Sequence, residues 1–502
     1  MKILRLIFNH RHFLIKFSII FNGYLYSQIY LSADSYYTMM HDKSLFDDNT
    51  NLYSTAFRPL YISNKKNLFL SYKSEFYFNN NAPNQENMDV RYFGKGLGYF
   101  NAFHFTWISK FISFSAEPYI LQNQNKQTKI YERPSPYRYL NDVVQLPGKK
   151  ITKQGLRNAH IYIHYKGIGI GLSNENMWWG PGLQSSLSMT NNTVGFKHYS
   201  FGTIKEKRYK KFGFHGKYTL ATIEKNDLID DSYFTSIGGI INYYSNPIIT
   251  IGFTRNYMTG GMSSGHSWNI SDASKIIFEG LFLENLEAKK YTTAKGGDAF
   301  DQTITGFISL LYPQSKLKIY MELGYNDNRQ NLWDFIIHPD HSVASIIGLQ
   351  NYGVFNNENL VLGFEYFNAI NSRMQVFRDY PPWFAREHYN DWSYEGRRWA
   401  AHSGSDSDDL LVFFGWFNKK WSIIPGLNYE RHGVTTHRPP EVKFEFRLNT
   451  HYTFKNGLIL GAYFERQFEA HLGFPNDHFW LEVTGKRNTN TVIFRLEKQI
   501  EL

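Results

Sequence analysis

The stretch from Tyr380 to Asp409, YPPWFAREHYNDWSYEGRRWAAHSGSDSDD, holds the densest collection of chemically useful side chains in the sequence. Trp383, Trp392 and Trp399 offer flat apolar faces, Arg386, Arg397 and Arg398 offer planar donor forks, and Asp391, Asp406, Asp408 and Asp409 offer acceptors. A sugar presents apolar C–H faces and a fringe of hydroxyls, which aromatic rings and bidentate polar groups match; an acidic sugar adds a use for arginine. With Tyr394 and His402, the residues Trp383, Arg386, Trp392, Arg397, Arg398, Trp399 and Asp406 form a candidate polysaccharide-binding set. The same side chains could instead fold on one another, pinned by internal Arg–Asp pairs.

Catalytic chemistry finds less support. Glu175, Glu395 and the run Asp406 to Asp409 could supply the two carboxylates of a glycosidase, but that reaction depends on a separation that sequence does not carry. The histidines form no HExxH pattern and no GxSxG nucleophile elbow is present. His388, His402 and the aspartates match no calcium-loop spacing. The absence of cysteine removes thiolate metal ligands and a cysteine nucleophile together. The expectation is a non-catalytic protein with no cofactor and no metal.

A second cluster lies at Gly171 to Asn192, GLSNENMWWGPGLQSSLSMTNN. Trp178 and Trp179 are followed at once by Gly180-Pro181-Gly182, so two large rings sit beside a tight turn and look like structural anchors. This run, continuing through Ser186-Leu187-Ser188-Met189-Thr190-Asn191-Asn192, resembles the signature of the Wzi family of capsule-assembly outer-membrane proteins, where WWGPG leads into an apolar stretch ending Ser-Asn-Asn. Thr190 stands where the family usually has Ser. The segment Tyr394-Glu395-Gly396 through His402-Ser403-Gly404-Ser405-Asp406-Ser407 is similar to a later family segment. The resemblance implies an eighteen-stranded barrel in the outer membrane, closed by loops at the outer mouth and a helical plug at the periplasmic one, that holds capsular or exported polysaccharide. It also implies contact with outer-membrane lipid and with other capsule export components.

The elements that must position these residues are strands. Phe103, Phe105 and Trp107 alternate with Ala102, His104 and Thr106; Leu317, Ile319, Met321 and Leu323 alternate with Lys318, Tyr320, Glu322 and Gly324; Val442, Phe444 and Phe446 alternate with Lys443, Glu445 and Arg447. Similar texture recurs from residue 67 to the end, including 276 to 287, and gives eighteen to twenty strands once runs are split at turns such as Ser245-Asn246-Pro247. At ~10 residues per membrane strand, eighteen strands use about 180 residues and leave the rest for long loops. The expected fold is all-β, a transmembrane antiparallel barrel of about 18 strands over 67–502 with long extracellular loops. A soluble sandwich or propeller would also carry strands with one polar face. An aromatic content of 18% suits interfacial girdles; strand-end aromatics such as Trp107, Tyr119, Tyr325 and Trp416, a signal-like N-terminus and the family resemblance tip the choice toward the barrel.

The first 27 residues hold Lys2, Arg5, Arg11 and Lys16, no acid, and an apolar patch around Phe17 to Phe21, a signal-peptide pattern with cleavage expected near Ser27/Gln28. Without those four cations the net charge falls from +10 to +6, too little to imply a nucleic-acid partner. Residues 28–66 show little recurrence at i, i+3 and i+4 and are expected to be irregular and periplasmic, a pattern that gives the family's helical plug no support and leaves its presence open. Three functions remain open: a polysaccharide-holding barrel, a porin-like channel whose inward Lys318, Glu322, Lys443, Glu445 and Arg447 line water, and a secreted glycan-active enzyme.

Overall fold

The computed structural model describes residues 30–31, 35–47, 53–61, 68–223, 232–260, 269–282, 300–326, 332–372, 383–384, 392–475 and 483–501. The leader with its Ser27/Gln28 junction, Arg386, His388 and Asp391 lie outside the described residues.

Among the described residues, eighteen antiparallel strands close into one barrel. They are β1 Leu68–Asn79, β2 Gly96–Ile108, β3 Ile112–Asn123, β4 Ile151–Tyr165, β5 Ile168–Ser173, β6 in two pieces His198–Thr203 and Lys207–Tyr209, β7 Phe212–Ile223, β8 Ser232–Tyr243 and β9 Ile248–Gly260. The circuit continues with β10 Phe300–Tyr312, β11 Leu317–Asn326, β12 Val343–Asn351, β13 Leu360–Asn368, β14 Ser407–Phe417, β15 Trp421–His432, β16 Glu441–Thr453, β17 Leu458–Ala470 and β18 Arg487–Glu501. Each strand pairs with its sequence neighbours, and β18 closes on β1 from Thr491↔Asn79 to Glu501↔Phe69. Closure leaves no unpaired sheet edge, the condition for crossing a bilayer with strands.

The sequence alternation maps onto the wall as expected. Met321 is 43% exposed on the outside while its neighbour Glu322 is fully enclosed within. Phe444 and Phe446 likewise face out and Lys443 and Glu445 face in. The connections divide by length: one end has tight turns such as Lys166-Gly167, both at positive φ, and the other has the long segments 80–95, 124–150, 174–197 and 369–406. Positive φ at both residues is what a two-residue hairpin turn with the twist of its strands requires.

Two helices depart from the sequence expectation. Residues 28–66 contain helix α1, Ser35–Asp47, seated in the barrel at the short-turn end. It is buried on almost every face, so its apolar residues never form the single stripe that sequence periodicity detects. Tyr36 stacks on His451 with centroids 3.6 Å apart, and Asp42 pairs with Lys318 at 2.7 Å. Residues expected to begin a strand at 276 instead belong to α2, Ile270–Phe282, opened by the Asn269 side chain accepting the Asp272 N–H at 3.0 Å. Ala273, Ile276 and Ile277 pack on the outward Tyr233, Tyr257 and Phe300. Spacing of i, i+3 and i+4 outweighed the β-branched composition.

Candidate functional site

The barrel interior is filled, and the segment Trp178 to Asn192 is its centre. Phe57–Arg58 pairs with Trp178–Trp179 as a short antiparallel ladder; Phe57 stacks on Trp179 at 5.2 Å and the Arg58 guanidinium lies 4.7 Å over Trp178. Past the Gly180-Pro181-Gly182 turn, the N–H groups of Leu183, Gln184 and Ser185 all donate to Glu365 of β13, at 2.6, 3.1 and 2.6 Å. Successive backbone N–H groups of this kind form an anion-binding nest, filled here by the barrel's own carboxylate. The turn needs its glycines: a Cβ on Gly182 would sit 2.0 Å from the Ser185 carbonyl, and one on Gly180 2.5 Å from Glu322. Asn191 donates to the Asn87 carbonyl at 3.1 Å, and Asn192 accepts the Asn87 N–H at 3.1 Å and donates to the Arg398 carbonyl at 3.4 Å. The signature residues therefore tie three loops together inside the lumen.

The described candidate sugar-binding residues between 383 and 406 are brought together, and their rings face inward. Trp383, Trp392 and Trp399 are 1–2% exposed. Trp399 stacks on Phe196 at 5.1 Å and meets Phe234 and Trp392 edge-on, while the Trp392 indole N–H donates to Asp301 at 2.7 Å. The expectation that these rings offer free stacking faces is corrected: apolar closure of the lumen consumes them. Arg398 is enclosed and donates to the Phe384 carbonyl at 2.8 Å. Asp406 accepts the N–H and hydroxyl groups of both Thr435 and Thr436, and the Tyr137 hydroxyl, so it pins loops to one another. Tyr394 packs on Phe196 and stays half-buried.

His402 belongs to a buried charge network, lying 3.2 Å from Asp409 and 3.7 Å from Glu86. Burial alone would lower its pKa, but the Glu86, Asp409 and Glu430 carboxylates outweigh that and raise it to about 9. Glu86 is held down at about 2: burial opposes ionisation, and Arg447 and Lys443 overcome it. Glu86, His402 and Glu430 approach one another closely enough to suggest a metal site. The Lys443 ammonium, however, contacts both carboxylates, so a cation already occupies the position. The inward Lys318, Glu322, Lys443, Glu445 and Arg447 each meet a partner inside the barrel; Glu322, for example, accepts the Leu187 N–H at 3.1 Å. Between α1 and these loops a chamber of about 180 Å³ persists, edged by Glu86, Arg91, Arg447, Glu465 and Arg495.

Sequence reasoning missed a relay in which Ser113 meets His160 Nε2 at 2.7 Å and His160 Nδ1 meets Glu175 at 2.9 Å. The three are spread over β3, β4 and the loop after β5, so no local spacing reveals them. Its connectivity is that of a hydrolase triad, but Ser113 is 0% exposed and offers no approach to an acyl donor. Burial lifts Glu175 to about 7.

One accessible polar pocket stands at the long-loop end, where β4 extends past β5. Its volume is about 140 Å³, and Tyr119, Gln145, Lys153, Arg157, Glu395 and Arg397 line it. Arg397 donates to the carbonyls of Asp89 and Arg91, neither of which neutralises its charge. Burial pulls its pKa down to about 10, so it remains a cation at neutral pH. Arg157 is spent on Asp89 and Glu117 at 2.6 and 2.7 Å. Lys153 and Glu395 form the partly exposed rim, 4.0 Å apart. The Tyr119 ring lies over Gly155, where a Cβ would come within 3.1 Å of it. The pocket thus offers one ring, a hydrogen-bonding fringe and one more positive than negative group.

No family model and no curated protein sequence matches this chain. Among solved structures, it is similar to Wzi of Escherichia coli, an outer-membrane protein involved in group 1 capsule assembly and described as a carbohydrate-binding β-barrel. The TM-score is 0.60 at 10% identity, covering 93% of this chain and 98% of that one. The outer-membrane protein OprD of Pseudomonas aeruginosa aligns at TM-score 0.43 and 7% identity over 87% of this chain and 94% of its own. The fold is therefore Wzi-like, that of an outer-membrane barrel.

Proposed function

We propose that this barrel sits in the outer membrane, presents its long-loop end to the cell exterior, and holds an exported acidic polysaccharide there without cleaving it. The observation that carries this reading is the pocket bordered by Tyr119, Lys153, Glu395 and Arg397, which opens at the end where outer-membrane barrels place their long loops. A ring face receives the apolar side of a pyranose, Gln145 and Glu395 serve hydroxyls, and Lys153 with Arg397 serves a carboxylate. The carbohydrate binding described for Wzi, whose fold the chain shares, agrees with this chemistry. On this reading the chain belongs functionally with capsule-assembly barrels. The described residues 392–406 act as the rigid support of the site, and among the described members of the candidate set Arg397 reaches it.

Titration calorimetry on the purified barrel tests this. Acidic capsular polysaccharide should bind, Lys153→Gln should weaken it several-fold, and a neutral glucan should bind weakly in both; equal binding of both polymers by both proteins overturns the reading. A second reading, a conducting channel, is favoured by the charged chamber above α1. Steady single-channel conductance in planar bilayers would support that reading.

A further inference from the structure

The two adjacent short turns that join β4 to β5 and β6 to β7 gather a dense positive charge that no free acid of the same turns balances. Lys166 stands in the first, and Lys205, Lys207, Lys210 and Lys211 in and beside the second, with Lys110 of the neighbouring β2–β3 turn next to them. The sole acid in residues 109–111, 165–168 and 204–212 is Glu206, which is buried and satisfied by Arg208 at 3.2 Å, Asn242 at 2.8 Å and Tyr244 at 2.5 Å. Lys205 and Lys207 converge over Gly167: a Cβ there would meet the Lys205 stem at 3.0 Å and the Lys207 ammonium at 3.2 Å. Like charges drawn together repel, and an anion bound between them removes the repulsion.

The setting identifies the anion's class. Lys110, Lys166 and Lys210 lie 5.1, 5.4 and 5.4 Å over the rings of Phe111, Tyr165 and Tyr209. Rings with lysines beside them at a strand end mark the headgroup level of a bilayer. Directly along the wall from the lysines, Ile163, Ile168, Ile170 and Phe201 face outward and are 48–68% exposed. A phosphate alone uses only the first half of this surface; a molecule with a phosphate and acyl chains uses both.

We propose that the Lys166/Lys205/Lys207 cluster is a binding site for an anionic glycerophospholipid of the leaflet at the short-turn end, with its phosphate on the lysines and its chains along Ile163, Ile168 and Phe201. This site is independent of the sugar pocket at the opposite end of the barrel. It resembles in chemistry the basic sites that hold acidic headgroups on other membrane proteins.

Native mass spectrometry on the full chain, released from micelles containing equal phosphatidylglycerol and phosphatidylcholine, provides the test. The expected result is at least fivefold preferential retention of phosphatidylglycerol. The triple variant Lys166→Gln/Lys205→Gln/Lys207→Gln should lose that preference while keeping the heat-modifiable folded band. The double variant Lys419→Gln/Lys420→Gln, at another short turn, should keep it. Equal retention of the two lipids, an unchanged preference in the triple variant, or the same loss in the Lys419/Lys420 control would overturn the proposal. Displacement of the lipid by millimolar inorganic phosphate would also overturn it, since the site would then recognise free phosphate. If the triple variant fails to fold, competition on the wild-type chain between the two lipids and inorganic phosphate decides alone.

Discussion

The carboxylate of Glu365 accepts the backbone N–H of Ser185 at 2.6 Å across the barrel lumen. Leu183 and Gln184 donate to the same group, and the Tyr320 hydroxyl donates to it at 2.6 Å. The wall thus holds the Trp178–Asn192 segment by a hydrogen-bond cluster on a carboxylate, while Phe57 stacks on its Trp179. Hydrogen bonds to a charged group contribute about 1.5–3 kcal/mol each in mutational series.

Glu365→Ala should accordingly leave the barrel closed but release the segment, with a loss of about 2–4 kcal/mol in stability because three N–H groups lose their acceptor inside the protein. Limited proteolysis in detergent should cut within 174–197 in the variant and spare the wild type.

Gly182→Ala should do the same by another route. The added methyl would stand 2.0 Å from the Ser185 carbonyl, which is backbone and cannot swing aside. The heat-modifiable band should fall in yield; a yield equal to wild type would show that the turn relaxes.

On the outside of the wall, Met321→Arg places a guanidinium among lipid chains and should cost about 2–4 kcal/mol if the residue lies near the bilayer midplane. Urea unfolding in vesicles measures this. Met321→Leu should unfold like the wild type.

The charge network between Glu86 and His402 predicts a pH window. Glu86 has its pKa depressed to about 2, so its contribution is complete above its ordinary value near 4.5 and is lost as pH falls toward 2. His402 is raised to about 9, so its contribution is complete below about 6.5 and is lost as pH rises through 9. Loop docking should therefore be firmest between about pH 4.5 and 6.5 and loosen on the alkaline side. Protease resistance of the 392–406 loop should drop between pH 7 and 9, and His402→Gln should flatten that dependence.

The wall was legible in the sequence because a two-residue period is a local property: Met321 and Glu322 announce their faces without reference to anything distant. The contents of the lumen were not. Helix α1 is gripped on all sides by partners as remote as Lys318 and His451, so it needs no stripe. Trp383, Trp392 and Trp399 have the composition of a sugar platform, and only the fold shows that Phe384 meets Trp383, Trp392 meets Trp399, and Phe196 and Phe234 cover Trp399. Tyr119 and Lys153 lie on strands far from the aromatic loop, and the pocket they share with Arg397 exists only after closure. The carboxylates raised as glycosidase candidates separate similarly: Glu175 is held by His160, Asp406 by Thr435 and Thr436, and Glu395 alone reaches the rim.

The functional prediction contrasts that rim with its support. Tyr119→Ala combined with Lys153→Gln removes the ring and the exposed cation while costing the loops only the long, exposed Lys153–Glu395 pair and the edge of one apolar cluster, so the barrel should assemble normally and the polymer should loosen. Each contact contributes on the order of 1–2 kcal/mol, and a repeating polymer held by many barrels multiplies weak contacts, so each single change should look mild and the pair should not. Trp399→Ala should behave in the opposite order, because its indole is packed against Phe196, Phe234 and Trp392 and its loss leaves a cavity; it should lower the amount of folded barrel by about 3–5 kcal/mol of stability before any effect on polymer appears. The measurement is cell-associated against shed polysaccharide, normalised to folded protein in the outer membrane. Full retention in the Tyr119/Lys153 variant at normal barrel levels would remove this pocket from the binding surface, and loss of retention in Trp399→Ala at normal barrel levels would return the aromatic loop to it.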